Sequence, residues 1–372
     1  MSTSIDSTAV AALVARARRE VDEGLLPSAQ VALAFNGELV TFEAFGDANL
    51  DTRYSVFSCT KAFVAGAVWA LIGDGLIDVS LPVIHYIPEF GANGKDRITV
   101  EQVMLHTSGF PHAPMPIPVG ATSAGRTARF AQWRLNWEPG TSFEYHATSA
   151  HWVLAEIIER VTGLDFRNVV QDRVTTPAGL PRLLAIPLDQ QTNIAELVTV
   201  GDVASTEEIR SAFGVDSLPV TEVTPAALLG FNDPEARTVG VPGGGGCMRA
   251  CDLALYYQRL LHDDGTIWDP AVRANVTSVV RNTLPDRLTG IPANRSLGLV
   301  LAGSDGKSHL RGMGRTVSPG TFGHNGAAGQ LAWADPATGL SLGYCTNGVD
   351  LNVVREPRRG SAIGSLAAVC TG

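Results

Sequence analysis

The sequence predicts an α+β fold: an antiparallel sheet flanked by helices and interrupted by an inserted, mainly helical domain. Two observations carry this. Strand-like runs occur at both ends of the chain, around 28–49 and again from 296 onward, while helical patterns fill the middle. No repeat, low-complexity tract or flexible linker separates these parts, so they are expected to pack as one sandwich. The expected domains are a discontinuous sheet domain, 1–57 plus 241–372, and a mainly helical domain, 58–240, with the active site at their junction.

The elements follow in order. Residues 8–23 have the pattern of a helix. The segment 28–49 holds two strand-like runs around Asn36-Gly37, a strong hairpin signal. A helix opens at Ser58, runs to about Ile72 and stops near Gly73 and Gly75. It is apolar all round and therefore expected to be buried. Residues 98–111 read as a short helix ending in a turn, and 112–125, rich in Pro, Ala, Gly and Ser, as a surface loop. Residues 148–163 form a helix that Thr148 or Ser149 can cap, with Leu154, Ile157, Ile158 and Val161 on one face and Gly163 at its end. Short helices and loops mix over 165–240. Gly243 to Gly246 precede a further helix, strand-like runs follow from 296, and a last helix is expected over 358–370.

Composition narrows the function. The chain has 372 residues, 45% hydrophobic, with a net charge of −9. That charge argues against nucleic acid or an anionic membrane as the main partner. The N-terminus has no apolar signal core, and no run approaches the roughly 18 apolar residues of a membrane span, so a cytoplasmic protein is expected. Five scattered cysteines fit reduced thiols better than a disulfide framework. Cys247 and Cys251 lack the second pair a zinc site needs, so no metal or cofactor is expected.

Lys61 stands out against this background. Only three lysines occur, at 61, 95 and 307; every other Lys/Arg position is arginine. Lys61 heads the apolar run Val64–Ile72 and follows Ser58 by three residues, which puts both on one helix face. Ser58 at a helix start has a free backbone N–H and the positive end of the helix dipole beside it. A desolvated lysine can lose its proton, which arginine cannot, and so could take the proton of Ser58. The same four letters also fit a capping serine with a lysine snorkelling to the surface.

Two further segments matter. Tyr145 lies after a Pro139-Gly140 turn and just before a helix, where a phenol near an ammonium is pushed toward phenolate and can exchange protons; a half-buried core tyrosine is the plain alternative. His324-Asn325-Gly326-Ala327 reads as a strand whose glycine lets a ligand approach the backbone. The Ala327 N–H could pair with that of Ser58 as an oxyanion hole.

Taken together, Ser58-x-x-Lys61, Tyr145-His146-Ala147 and His324-Asn325-Gly326 resemble the serine β-lactamase and penicillin-binding-protein superfamily, and within it the family VIII carboxylesterases and class C β-lactamases. The likeness spans nearly the whole chain and includes 74–90 and the His106–Gly109 segment. It implies a β-lactamase/DD-peptidase-like fold. It also implies Ser58 as the acylated nucleophile, Lys61 and Tyr145 as the proton-transfer pair, and Ala327 as second oxyanion donor, with His324 and Gly326 at the substrate.

Departures from the family pattern are informative. Ala147 stands where class C enzymes have Asn, and His324 where they have the K-T-G lysine. No E-x-x-L-N segment is present for a class A deacylating glutamate. The attack machinery is retained while groups that bind a β-lactam's amide and carboxylate are altered. The expected activity is therefore hydrolysis of a small-molecule ester through an acyl-enzyme. Amidase or D-amino-acid peptidase activity, acyl transfer and a non-catalytic binding role are the rivals, and a homo-oligomer is compatible with the sequence. Gly339-Leu340-Ser341-Leu342-Gly343 matches G-x-S-x-G, but that motif needs a strand, a sharp turn and a helix. Here strand-like sequence follows, so Ser341 is expected on a hairpin strand. Phe110, Met115, Trp133, Trp137 and Phe231 are candidates for an acyl pocket or for ordinary packing.

Overall fold

The computed structural model describes residues 4–218, 221–287 and 289–372. Its centre is a six-stranded antiparallel sheet. In chain order the strands are β1 (Ser28–Phe35), β2 (Glu38–Gly46), β3 (Val300–Leu301), β4 (Phe322–Gly323), β5 (Leu331–Asp335) and β6 (Leu340–Thr346). Across the sheet they run β2-β1-β6-β5-β4-β3, so the N-terminal hairpin joins strands from the other end of the chain. Asn36 and Gly37, both at positive φ, supply the left-handed pair its tight turn requires.

Five helices position the site: α1 (Ser7–Asp22), α2 (Thr60–Gly73), α3 (Ser149–Thr162), α4 (Ala250–His262) and α5 (Arg355–Ala367). Side chains alternate across a strand, so each strand feeds two cores. Val31 and Leu33 of β1 meet Leu13 and Ala17 of α1 and Ile363 and Ala367 of α5. Ala32 and Ala34 face the opposite core, with Leu253 and Ala254 of α4. Small residues on that face let α4 lie close. A Cβ on Gly343 would sit 1.9 Å from the Ala250 carbonyl oxygen.

Helix α2 is buried along almost its whole length, as its sequence requires. Side-chain donors from around it bind its carbonyls or tie it to neighbours. Tyr256 Oη donates to Ala62 O (2.7 Å), Trp268 Nε1 to Gly66 O (2.8 Å), and Trp69 Nε1 to Leu297 O (2.7 Å). It ends with Asp74 as C-cap and Gly75 left-handed.

Several expectations need correction. The 112–125 segment is not all loop: Ile117–Gly120 forms a helical turn, and a helix starts at Ser123, with Thr122 Oγ1 accepting from Gly125 N (3.1 Å). Proline is tolerated in a first helical turn, so its presence did not exclude helix. The fixing contact is tertiary: Arg126 is fully buried and its Nε binds Glu156 of α3 at 2.8 Å. The strands after 296 are shorter than their texture implied. Gly298 takes φ +98°, and a Cβ there would lie 2.5 Å from Ala65 Cβ of α2. The last helix begins at Arg355 and ends at Ala367, three residues earlier than expected at each end. Thr148 precedes α3 but makes no capping bond with its side chain.

Ser341 lies on β6, fully buried; its Oγ accepts from Gln258 Nε2 (2.9 Å) and donates to Ala254 O (2.8 Å). All five cysteines are buried and free. Among the described residues no helix is long and apolar enough to cross a membrane, and no cluster of His, Cys, Asp and Glu is arranged to hold a metal ion.

Candidate active site

Ser58 sits in a short 3-10 turn, Phe57–Cys59, that leads into α2. Phe57 adopts φ +43°, an unfavourable conformation for a non-glycine residue, held by an edge-on contact with Phe231 (5.7 Å between ring centres). The glycine run straps this turn down: Val56 N donates to Gly246 O (2.9 Å) and Gly246 N to Thr60 Oγ1 (3.0 Å). A Cβ on Gly246 would fall 2.6 Å from that same Oγ1.

Ser58, Lys61 and Tyr145 meet. Lys61 Nζ is 3.1 Å from Ser58 Oγ, and Tyr145 Oη is 2.8 Å from the same atom. Lys61 is fully buried, which answers the choice between a snorkelling and a desolvated lysine. Burial, and then the nearby positive charge of Arg295, bring its pKa down to about 7. Nζ also contacts two carbonyls, Ala147 O at 2.7 Å and Gly243 O at 2.5 Å. A neutral amine has two N–H bonds and one lone pair. With both N–H groups directed to carbonyls, the lone pair faces the Ser58 hydroxyl.

Tyr145 behaves differently from the sequence expectation. Burial pushes its pKa up to about 12, against the opposing pull of Arg295. The phenol is therefore protonated near neutral pH and donates to Ser58. Removal of water from the phenol outweighs the positive charge beside it, so of the acceptor and donor roles the sequence left open, the donor is the one favoured at neutral pH. The ring is packed by His106 at 4.8 Å and His324 at 6.0 Å. His106 Nδ1 accepts from His146 N (3.2 Å), and His146 Nε2 accepts from Phe110 N (3.2 Å). Both histidines are kept neutral by burial, His146 at about 3.

Gly326 packs directly on the nucleophile turn: a Cβ there would be 2.2 Å from Val56 O. The segment is not the regular strand expected. β4 stops at Gly323, Gly326 pairs with Gln330 through an isolated bridge, and 327–329 form a turn with Ala328 and Gly329 left-handed. The Ala327 and Ser58 amides have no acceptor among the described residues. His324 is buried, with Nδ1 donating to Asn325 O (3.0 Å) and Nε2 without a partner. Burial first, then Arg295 and Lys61, hold its pKa well below the usual value, so it is neutral and is no substitute for a lysine's charge.

Of the acyl-pocket candidates, Phe110, Met115 and Trp133 belong to the main core. Phe231 is the one that reaches the site, sharing an apolar cluster with Phe57 and Ala327. Trp137 lies edge-on to His146 at 6.1 Å and under the Arg287 guanidinium.

Sequence reading missed two groups. Arg295 lies over the Tyr145 ring, 5.1 Å from its centre. Glu222 Oε1 accepts from Thr148 N (3.1 Å), and its charge acts on Lys61. Neither belongs to a local motif; each arrives from a distant loop.

This fold, with a serine on a buried helix start, a lysine one turn on and a facing tyrosine, is that of the serine β-lactamases and penicillin-binding proteins. The β-lactamase family model matches residues 13–363, and the chain belongs to that family. It is 30% identical over 328 residues to the esterase/β-lactamase LipL of Mycobacterium tuberculosis, covering 80% of this chain and 70% of LipL. A crystal structure of a family VIII carboxylesterase superposes with a TM-score of 0.77 at 24% identity, over 99% of this chain and 100% of that one. A penicillin-binding-protein homologue from Caulobacter crescentus gives 0.76 at 23% identity, over 98% and 100%. The protein is a hydrolase of the β-lactamase family.

Proposed function

We propose that the protein cleaves carboxylic esters through an acyl-enzyme on Ser58. The observation that carries this reading is the Ser58 hydroxyl, held between a buried amine at 3.1 Å and a buried phenol at 2.8 Å. Lys61 takes the serine proton as Oγ attacks the ester carbonyl. The oxyanion is held by the Ser58 and Ala327 N–H groups. As the carbon–oxygen bond breaks, Tyr145 gives its proton to the departing alkoxide and Lys61 returns one to the phenolate. Water then replaces the alcohol, and the same groups run the steps in reverse to release the acid.

Ester rather than amide cleavage is supported by what surrounds this centre. Ala147 has no side-chain amide to hold a substrate amide; its carbonyl binds Lys61 instead. His324 is neutral. The apolar cluster of Phe57, Phe231, Leu228 and Ala327 offers a surface for an acyl or alkyl chain. The test is turnover of short 4-nitrophenyl esters beside nitrocefin and D-alanine amides, with mass spectrometry to locate the serine modified by a fluorophosphonate. Robust amide cleavage without ester turnover, or label on another serine, overturns the reading. Nitrocefin belongs in the panel because the name of the Mycobacterium tuberculosis relative joins the two activities.

A further inference from the structure

The mechanism above needs the lone pair of Lys61 aimed at Ser58. The amine owes that aim to the carbonyls of Ala147 and Gly243, which take its two N–H bonds. Ala147 O belongs to the peptide that joins Ala147 to Thr148. In a trans peptide the N–H points away from the C=O. The N–H end of this one, Thr148 N, donates to Glu222 Oε1 at 3.1 Å. The Thr148 hydroxyl donates to the same carboxylate, at 3.3 Å to Oε1 and 3.5 Å to Oε2. This is why Thr148 makes no capping bond at the start of α3: its side chain is taken by Glu222. One peptide thus carries a carboxylate at one end and the base at the other. Negative charge at the N–H end polarises a peptide and makes its oxygen a stronger acceptor.

The segment that brings Glu222 is anchored on the nucleophile turn. Thr224 N donates to Glu222 O (3.1 Å), and Thr224 Oγ1 accepts from Ala227 N (3.2 Å) to start the short helix Pro225–Leu229. Leu228, Leu229 and Phe231 then pack in the cluster of Phe57, and the Asn232 side chain bonds both the amide and the carbonyl of Leu197 at 2.8 Å. One segment therefore bears on the turn of the nucleophile and on the peptide that holds the base.

The charges agree with this placement. Lys61 faces Arg295, Cys59, Tyr145 and the buried His106, His151 and His324. Burial keeps the thiol and the phenol protonated and the three histidines neutral. Glu222 is the carboxylate that opposes Arg295 on Lys61. Glu222 in turn faces Lys61, His112 and Tyr145. Removal of water raises its pKa, and the Thr148 bonds and Lys61 draw it back.

We propose that Glu222 is a positioning residue for the base: by holding the Ala147–Thr148 peptide at its N–H end, it fixes the carbonyl that aims the Lys61 amine at Ser58. It acts through Ala147 and not on the substrate. This rests on the acyl-enzyme reading of the site.

The test measures two rates across the pH range, fluorophosphonate labelling of Ser58 and turnover of a neutral 4-nitrophenyl ester. The proteins are the wild type, Glu222→Gln and Glu222→Ala, with folding checked by thermal unfolding. Glutamine keeps an acceptor for Thr148 and removes the charge. Its acid-limb midpoint should move to lower pH, because the anion that favours protonated Lys61 is gone, while its plateau stays within about threefold of the wild type. Alanine removes both. Its midpoint should move the same way, and its plateau labelling rate and kcat should fall about tenfold or more with KM little changed. Three results would each overturn the proposal. Unmoved midpoints in both variants would leave Glu222 as loop packing. A loss confined to KM would place it on the substrate. An alanine plateau equal to that of glutamine would make it only a distant charge. Labelling that responds to Glu222 as expected, with no ester turned over, sinks the esterase reading alone. Robust ester turnover indifferent to Glu222 sinks this assignment alone.

Discussion

Ser58 is reactive, in this reading, because one neighbour is short of a proton and the other keeps its own. Burial and Arg295 bring Lys61 down to about 7, and burial takes Tyr145 up to about 12. The base acts only when neutral, so kcat/KM on a neutral ester should fall about tenfold per pH unit below about pH 7 and stay level from 8 to 10. A pH–rate profile checks this, and a flat profile down to pH 5 would exclude Lys61 as the base. Ser58→Ala should remove at least about 10³-fold of the activity, and Tyr145→Phe about 10²- to 10⁴-fold. Ser341→Ala should keep kcat unchanged, because that hydroxyl is spent on Gln258 and Ala254 inside the sheet–helix core. Its effect should be a drop in stability of about 1–3 kcal/mol, read from urea unfolding.

At the scale of elements, two glycines do opposite jobs on one principle. Gly326 lets the 326–330 turn touch the nucleophile turn, and Gly343 lets α4 touch the sheet. Gly326→Ala places a Cβ 2.2 Å from Val56 O and should push the Ala327 N–H out of line. The expected result is a loss of about 10²–10³-fold in kcat with little change in melting temperature. Gly343→Ala places a Cβ 1.9 Å from Ala250 O, at the contact of α4 with the sheet. It should cost about 1–3 kcal/mol of stability, leaving the specific activity of the folded fraction intact. Activity assays and thermal unfolding on both variants separate the two outcomes. The glycines were visible in sequence, but which neighbour each one faces was not.

Across the whole molecule, Arg359 ties distant parts together. It is buried on α5, with Nε donating to Glu20 of α1 (2.8 Å) and Nη2 to Asp350 (2.7 Å). Asp350 ends a short strand, Gly348–Asp350, that pairs in parallel with Val198–Val200. Arg359→Met leaves Glu20 with Arg16 and Asp350 with Arg355 as their remaining ion-pair partners, and should cost about 1–3 kcal/mol in urea unfolding. Burial pushes both carboxyls up, but Arg359 with Arg16 on Glu20, and Arg355 with Arg359 on Asp350, hold each below its ordinary value. A carboxyl depressed in the folded state binds fewer protons there than in the unfolded chain. This stabilisation is therefore present in full above the unfolded values, about 4, and is lost as pH falls through the lower folded ones. Unfolding free energy should show this loss below about pH 4 in the wild type and a weaker pH dependence in Arg359→Met.

Much of this protein was legible in one dimension. Local rules set the Asn36-Gly37 hairpin, the buried helix after Ser58, the Gly163 cap of α3 and the serine–lysine spacing, because each depends on residues a few positions apart. The Ser58, Lys61 and Tyr145 meeting was foreseen through resemblance, since nothing local brings position 145 to position 58. Folding decided the rest: the sign of the Tyr145 shift, the neutrality of His324, the arrival of Arg295 and Glu222, and the ion-pair network on Arg359. Each of these depends on how much water is removed from a group and which charges stand beside it. Those quantities are set largely by segments distant in the sequence, and exist only once the chain is packed.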